Sequence, residues 1–184
     1  GGTAAAISLG QAAALTIMVC DLTIGKEKWE SGWDIANKAL PICVKIMSRA
    51  GELADLDSDA FDDVMAAYRM PIVDYIEIIL RKESIKKSSI VATEIPFETS
   101  KLALEILEIL PELALKGNGN AVSDVGVAGL LASAACKGAL FNVDINLSGL
   151  SDDVATDIRK ESPDILKMSR ALSRQIMDNV RERL

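Results

Sequence analysis

The sequence predicts an all-α, single-domain bundle of long antiparallel helices over residues 1–184, and three observations predict it. Hydrophobic residues make up 49% of the chain and aromatic ones only 4%, so the core must be built from Ala, Leu, Ile, Val and Met. Strands favour β-branched and aromatic side chains, whereas this composition favours closely packed helices. Apolar residues recur at steps of three and four, most clearly at Met47, Ala50, Ala54, Phe61, Val64 and Tyr68. The breaks between such stretches fall at Gly and Pro, at Gly25, Met70-Pro71, Pro96 and Gly117–Asn120.

Thr3 to about Leu22 reads as a buried helix that stops near Thr23-Ile24-Gly25. Its small residues, Gln11 and the lack of a basic start argue against a signal peptide or a bilayer span. Lys26, Lys28 and Glu30 form a charged connection flanked by Trp29 and Trp33. A long helix is expected from Asp34 towards Arg69, bent at Pro41. Met70-Pro71 ends it, because the residue before a proline avoids the helical region. Ile72 to about Thr93 gives the next helix, carrying a basic patch at Arg81, Lys82, Lys86 and Lys87.

Pro96 is expected to break that helix, and Phe97 to about Leu115 to form another, bent or interrupted near Pro111. Gly117-Asn118-Gly119-Asn120 is the following loop. A small-residue helix runs from Ser123, a candidate N-cap, to about Phe141. Asn142–Leu147 is too short to type. A charged amphipathic helix is expected beyond Pro163, with Met168, Leu172, Ile176 and Val180 on one face.

Composition also excludes chemistry. The chain has no histidine, which removes His-based nucleophilic triads and most His-based metal sites. Proton transfer is left to carboxylates, Lys, Tyr, Cys or water. A net charge of -7 without a broad basic run argues against nucleic acid as partner. Cys20, Cys43 and Cys136 are odd in number, far apart and set among apolar residues, which reads as reduced core thiols in a cytoplasmic protein.

Two acids stand out. Asp57 falls in the apolar line of the second helix, whereas Asp55, Asp59 and Asp62 project elsewhere. A carboxylate on such a stripe must be paired, protonated or lining a cavity. It either caps or pairs with a neighbour, or serves as a catalytic acid or base tuned by burial. Asp124 sits in the first turn of its helix, where an acid complements the helix dipole. Its stripe through Ala128, Leu131, Ala135, Gly138 and Asn142 is small in the middle, leaving room for a partner helix or a flat ligand.

Several segments matter together. GGTAAAISLGQAAALTIMVCDLTIGKEKW opens the chain, DSDAFDDVMAAYRMP closes the second helix, ATEIP follows, and GNGNAVSDVGVAG precedes FNVDINL. In order and spacing these resemble the C-terminal domain of formiminotransferase-cyclodeaminase and the stand-alone methenyltetrahydrofolate cyclohydrolases built on the same domain. The resemblance spans nearly the whole chain. It implies an all-helical homodimer, dimerising through helices, that binds a reduced folate and uses no metal or cofactor beyond that substrate.

The resemblance places the catalytic carboxylate at Asp57, the acid before x-x-Ala-Phe, with Asp124 as a second acid of the site. It places folate contacts at Gly1, Gly2, Thr3, Lys26, Gly117, Asn118, Asn120, Ser123, Asn142 and Asn146. The chain departs from the pattern in having two opening glycines instead of three, and in the apolar character of IVDYIEIILRKESIKK. Arg81 and Lys82 are the cations left to meet a folate tail.

The reaction implied is hydrolysis of 5,10-methenyltetrahydrofolate to 10-formyltetrahydrofolate, with Asp57 handling the protons. Cyclodeamination of 5-formiminotetrahydrofolate, with loss of ammonia, is the nearest alternative, since the same amidine carbon is involved. A non-catalytic helical protein using its small-residue faces as interfaces is the reading of a different class.

Overall fold

The computed structural model describes all residues, 1–184, and holds no strand. Its helices are α1 (Gly2–Thr23), α2 (Trp33–Tyr68), α3 (Tyr75–Lys116), α4 (Val122–Ser148) and α5 (Thr156–Arg181). Two 3-10 turns, Glu27–Gly32 and Gly119–Ala121, lie in the connections before α2 and α4. Short connections make successive helices antiparallel. Helices α1 to α4 form a ring in which α1 packs on α2 and α4, and α3 contacts those same two. Helix α5 lies across α3 and α4, and one hydrophobic core runs through all five helices.

Alanine sets the spacing of that core. Ala6, Ala12 and Ala13 of α1, Ala36 and Ala39 of α2, and Ala128, Ala132 and Ala135 of α4 are fully buried. Side chains this short let helix backbones approach closely, so the bundle closes without the bulk of aromatic residues. The Gly2–Thr23 and Gly119–Ser148 stretches, with mean hydropathy 1.7 and 1.4, are long and apolar enough to cross a membrane. In this fold each is packed among other helices.

Helices α2 and α3 outrun the ring. The start of α1 meets Asp57, so residues 58–68 of α2 and 75–91 of α3 project as a two-helix arm. No residue of α3 before Thr93 is buried. The arm turns through a reciprocal cap: Asp74 Oδ1 accepts from the Glu77 N–H, and Glu77 Oε2 accepts from the Val73 N–H, both at 2.8 Å.

The prolines do less than the sequence led one to expect. Helix α3 is continuous through Pro96 and Pro111, and both prolines are buried. An interior proline costs roughly 3 kcal/mol relative to alanine, and apolar packing of both rings offsets part of that. Helix α5 begins at Thr156, well before Pro163, because Ile158 and Ser162 are already buried against the bundle. The Asn142–Leu147 segment is the last part of α4. Ser123 is no N-cap: α4 starts one residue earlier, behind Ala121, without a side-chain cap.

Candidate functional site

The apolar stripe of α2 explains where Asp57 points. Steps of three and four carry it onto the face that meets the start of α1. There Thr3 Oγ1 donates to Asp57 Oδ2 at 2.9 Å. The other carboxylate oxygen lies against Gly2, at the place a side chain on that residue would occupy. The positive end of the α1 dipole therefore faces the carboxylate. Asp57 is half-buried, not enclosed. Of the options open to a carboxylate on that stripe, the bundle realises the last one: it lines a cavity.

That cavity has a volume of about 400 Å³ and is lined by Gly1, Thr3, Asp57, Phe61, Asn142 and Asn146, with Ser58, Val64 and Ala92 completing the wall. Its size falls in the range of small-ligand sites. Asn142 Nδ2 donates to the Gly138 carbonyl of its own helix at 2.8 Å. Asn146 Nδ2 donates across to the Ala92 carbonyl of α3 at 2.6 Å. Phe61, one turn beyond Asp57 and 63% exposed, stands at the mouth with its ring free to stack on a flat ligand.

A slightly larger cavity between α4 and α5, about 460 Å³, includes Arg159 in its wall. That guanidinium is engaged by the carbonyls of Leu147, Leu150 and Val154, so it closes the end of α4. The Asp57 cavity is where a carboxylate, two amides and an exposed aromatic ring converge.

The residues expected at one site form two groups. Gly1, Gly2, Thr3, Asp57, Asn142 and Asn146 come together. Lys26, Gly117, Asn118, Asn120, Ser123 and Asp124 lie at the other end of α1, about 30 Å away by the rise of a helix of that length. There Asn118 Nδ2 donates to the Leu22 carbonyl at 2.7 Å, its backbone N–H donates to Thr23 Oγ1 at 3.0 Å, and its Oδ1 accepts from the Asn120 N–H. The Gly117 carbonyl accepts from Arg183 Nη2 at 3.0 Å, and Trp29 packs where Gly119 would carry a side chain. Within one chain, then, Gly117 and Asn118 close the end of α1 and do not border the Asp57 cavity. Lys26, Asn120 and Ser123 are exposed and Asp124 is half-buried.

Arg81 is committed elsewhere too. It donates to the Tyr68 carbonyl at 3.2 and 2.8 Å and lies over the Tyr68 ring, while Lys82 is exposed on the arm. Sequence reasoning missed Phe61 as a wall of the site, although it stands four residues from Asp57 on the same stripe. It also missed the Ala92 carbonyl, for which Pro96 was the only signal.

Residues 1–163 match the family described as formiminotransferase-cyclodeaminase. Across its whole length, and 89% of the relative's, the chain is 36% identical to the methenyltetrahydrofolate cyclohydrolase of Methylorubrum extorquens. It is 31% identical over 153 residues to the formimidoyltransferase-cyclodeaminase of Gallus gallus, of which it spans only 28%. The crystal structure of formiminotetrahydrofolate cyclodeaminase from Thermotoga maritima superposes with a TM-score of 0.79, covering 100% of this chain and 87% of that one at 25% identity.

Proposed function

The chain belongs to the formiminotransferase-cyclodeaminase family, and on that premise we propose that it is an enzyme of folate one-carbon metabolism hydrolysing 5,10-methenyltetrahydrofolate to 10-formyltetrahydrofolate. One observation carries this reading over its rival: a cyclohydrolase of nearly the same length aligns end to end at 36% identity. The cyclodeaminase reading draws its support from the Gallus gallus and Thermotoga maritima relatives, and acts on the same type of carbon.

In the methenyl substrate the one-carbon unit is an amidinium bridging two nitrogens, so its carbon is already electrophilic. The reaction in this reading needs water, a proton carrier and no metal or cofactor beyond the folate. Asp57 takes one proton as the water oxygen bonds to carbon and returns it to N5 as the carbon–N5 bond breaks, while the second water proton leaves the hydroxyl for solvent as the formyl C=O forms. Thr3 holds Oδ2 of the carboxylate in place, while Oδ1 lies against Gly2 at the start of α1. Asn142 and Asn146 orient the pterin, and Phe61 stacks on its flat part.

The working assembly in this proposal is a homodimer. Ile7 of α1 and Leu130, Phe141 and Ile145 of α4 are more than half exposed, an apolar face that a second copy of the chain covers. Asp124, Ser123, Asn120 and Lys26 reach the substrate only if that copy packs antiparallel and supplies them from its opposite end. The three free, buried thiols support a cytoplasmic setting.

The test supplies the purified protein with 5,10-methenyltetrahydrofolate and, separately, 5-formiminotetrahydrofolate, against enzyme-free blanks. Catalysed formation of 10-formyltetrahydrofolate is expected; ammonia released from the formimino compound alone would move the assignment to cyclodeaminase. Asp57→Asn should lower turnover at least about 100-fold while the protein stays folded, and near-normal rates would remove Asp57 from the chemistry.

A further inference from the structure

Helix α3 carries a proline where it passes the site, and that proline has a defined consequence for one oxygen. In an uninterrupted helix the Ala92 carbonyl would accept from the N–H of residue 96. Residue 96 is Pro, which has no N–H and whose ring crowds the carbonyl four residues back. The freed oxygen is at the wall of the Asp57 cavity, and it accepts from Asn146 Nδ2 at 2.6 Å. A carbonyl only accepts, so this contact fixes which end of the Asn146 amide is nitrogen. Its Oδ1 is thereby the free acceptor of an amide whose residue lines the cavity.

We propose that Pro96 is a positioning residue of the active site, acting through the Ala92 carbonyl to set the amide of Asn146. The ligand chemistry this orientation recognises is an N–H edge, of the kind a reduced pterin ring presents, met by the Asn146 oxygen. The proposal rests on the folate reading for the ligand, but its structural half stands without it. Alanine at position 96 would return an N–H to the helix and remove the ring that crowds the Ala92 carbonyl. Because that oxygen can accept two bonds, the Asn146 contact is weakened by competition and by the carbonyl's return towards the helix axis, which loosens the amide. Alanine is also the better helix former, so the variant is expected to fold with a melting temperature no lower than that of the wild type.

The experiment combines Pro96→Ala, Asn146→Ala and the double variant with two readouts. In the ligand-free protein, NMR follows the side-chain amide protons of Asn146, which should exchange slowly in the wild type and lose that protection in Pro96→Ala. In turnover of 5,10-methenyltetrahydrofolate, Pro96→Ala should lower kcat/KM roughly fivefold, mostly through KM, about the worth of one well-placed hydrogen bond. In the Asn146→Ala background the same substitution should have no further effect, because its target is gone. Additive kinetic effects, or unchanged Asn146 protection in Pro96→Ala, would overturn the proposal. If the wild type turns over neither folate, the enzymatic reading falls by itself, and the NMR result still decides whether Pro96 positions Asn146.

Discussion

Gly2 is the smallest residue at the site and among the most constrained. A Cβ there would collide with the carboxylate of Asp57, which is no flexible chain end but is held by Thr3. Gly2→Ala must therefore push Asp57 away from α1. Steady-state kinetics should show kcat/KM down by about 100-fold, as expected when a reacting group is misplaced. The accompanying stability loss should be on the order of 1–3 kcal/mol, the usual cost of overpacking, measured by thermal or urea denaturation. Thr3→Val is the milder companion: it removes one hydrogen bond and keeps the shape. At this scale Asp57 was legible because an acid on an apolar stripe violates a simple rule. Phe61 was not, because an aromatic residue on the same stripe obeys it.

At the scale of elements, the ends of α1 do different jobs. Its start faces Asp57; its finish is closed by Asn118, whose amide, backbone and side-chain oxygen are all engaged locally. Asn118→Ala should lower stability by about 1–2 kcal/mol, as loss of a helix cap does, with the Asp57 cavity of the same chain unchanged. A Kd for tetrahydrofolate that weakens more than tenfold without a drop in melting temperature would instead return Asn118 to the binding site. The link between α2 and α3 has its own pH dependence. Arg49 donates to both oxygens of Glu98, at 2.7 and 2.9 Å, and holds that carboxyl below the usual carboxylate range. Its stabilising contribution is present above the ordinary carboxylate pKa and is lost as pH falls below it, so Glu98→Gln should flatten the acid limb of the melting profile. The prolines in α3 and α5 were misread as breaks because local propensity is a few kcal/mol, and burial of a long helix outweighs it.

For the whole molecule, the core thiols make the clearest prediction. Burial pushes Cys20 and Cys43 up to about 12 and Cys136 up to about 11, from an ordinary value of 9.0. All three should resist alkylation in the native state and react together on unfolding. Because their folded pKa values are raised, the associated stability is complete below pH 9.0 and is lost as pH rises from there towards about 12. Melting temperatures across pH 7 to about 11 would show that alkaline decline.

The proposed dimer is tested at the same scale by light scattering. Ile7→Glu together with Leu130→Glu should give monomers, while a double variant that stays dimeric would place the interface elsewhere.

The sequence by itself determined the helical class and the extent of α1 and α2, read the three cysteines as core thiols, and singled out Asp57 as one of two candidate acids. Those properties follow from periodicity, composition and single residues out of place, all of which are local. Only the tertiary structure decided which of the family-matched residues share a cavity. It drew Gly1, Gly2, Thr3, Asp57, Asn142 and Asn146 to one end of the bundle and left Asn118 and Asp124 at the other. The physical reason is the length of α1: a helix whose two ends are both dressed with matching motifs holds them about 30 Å apart, a distance no stretch of sequence announces.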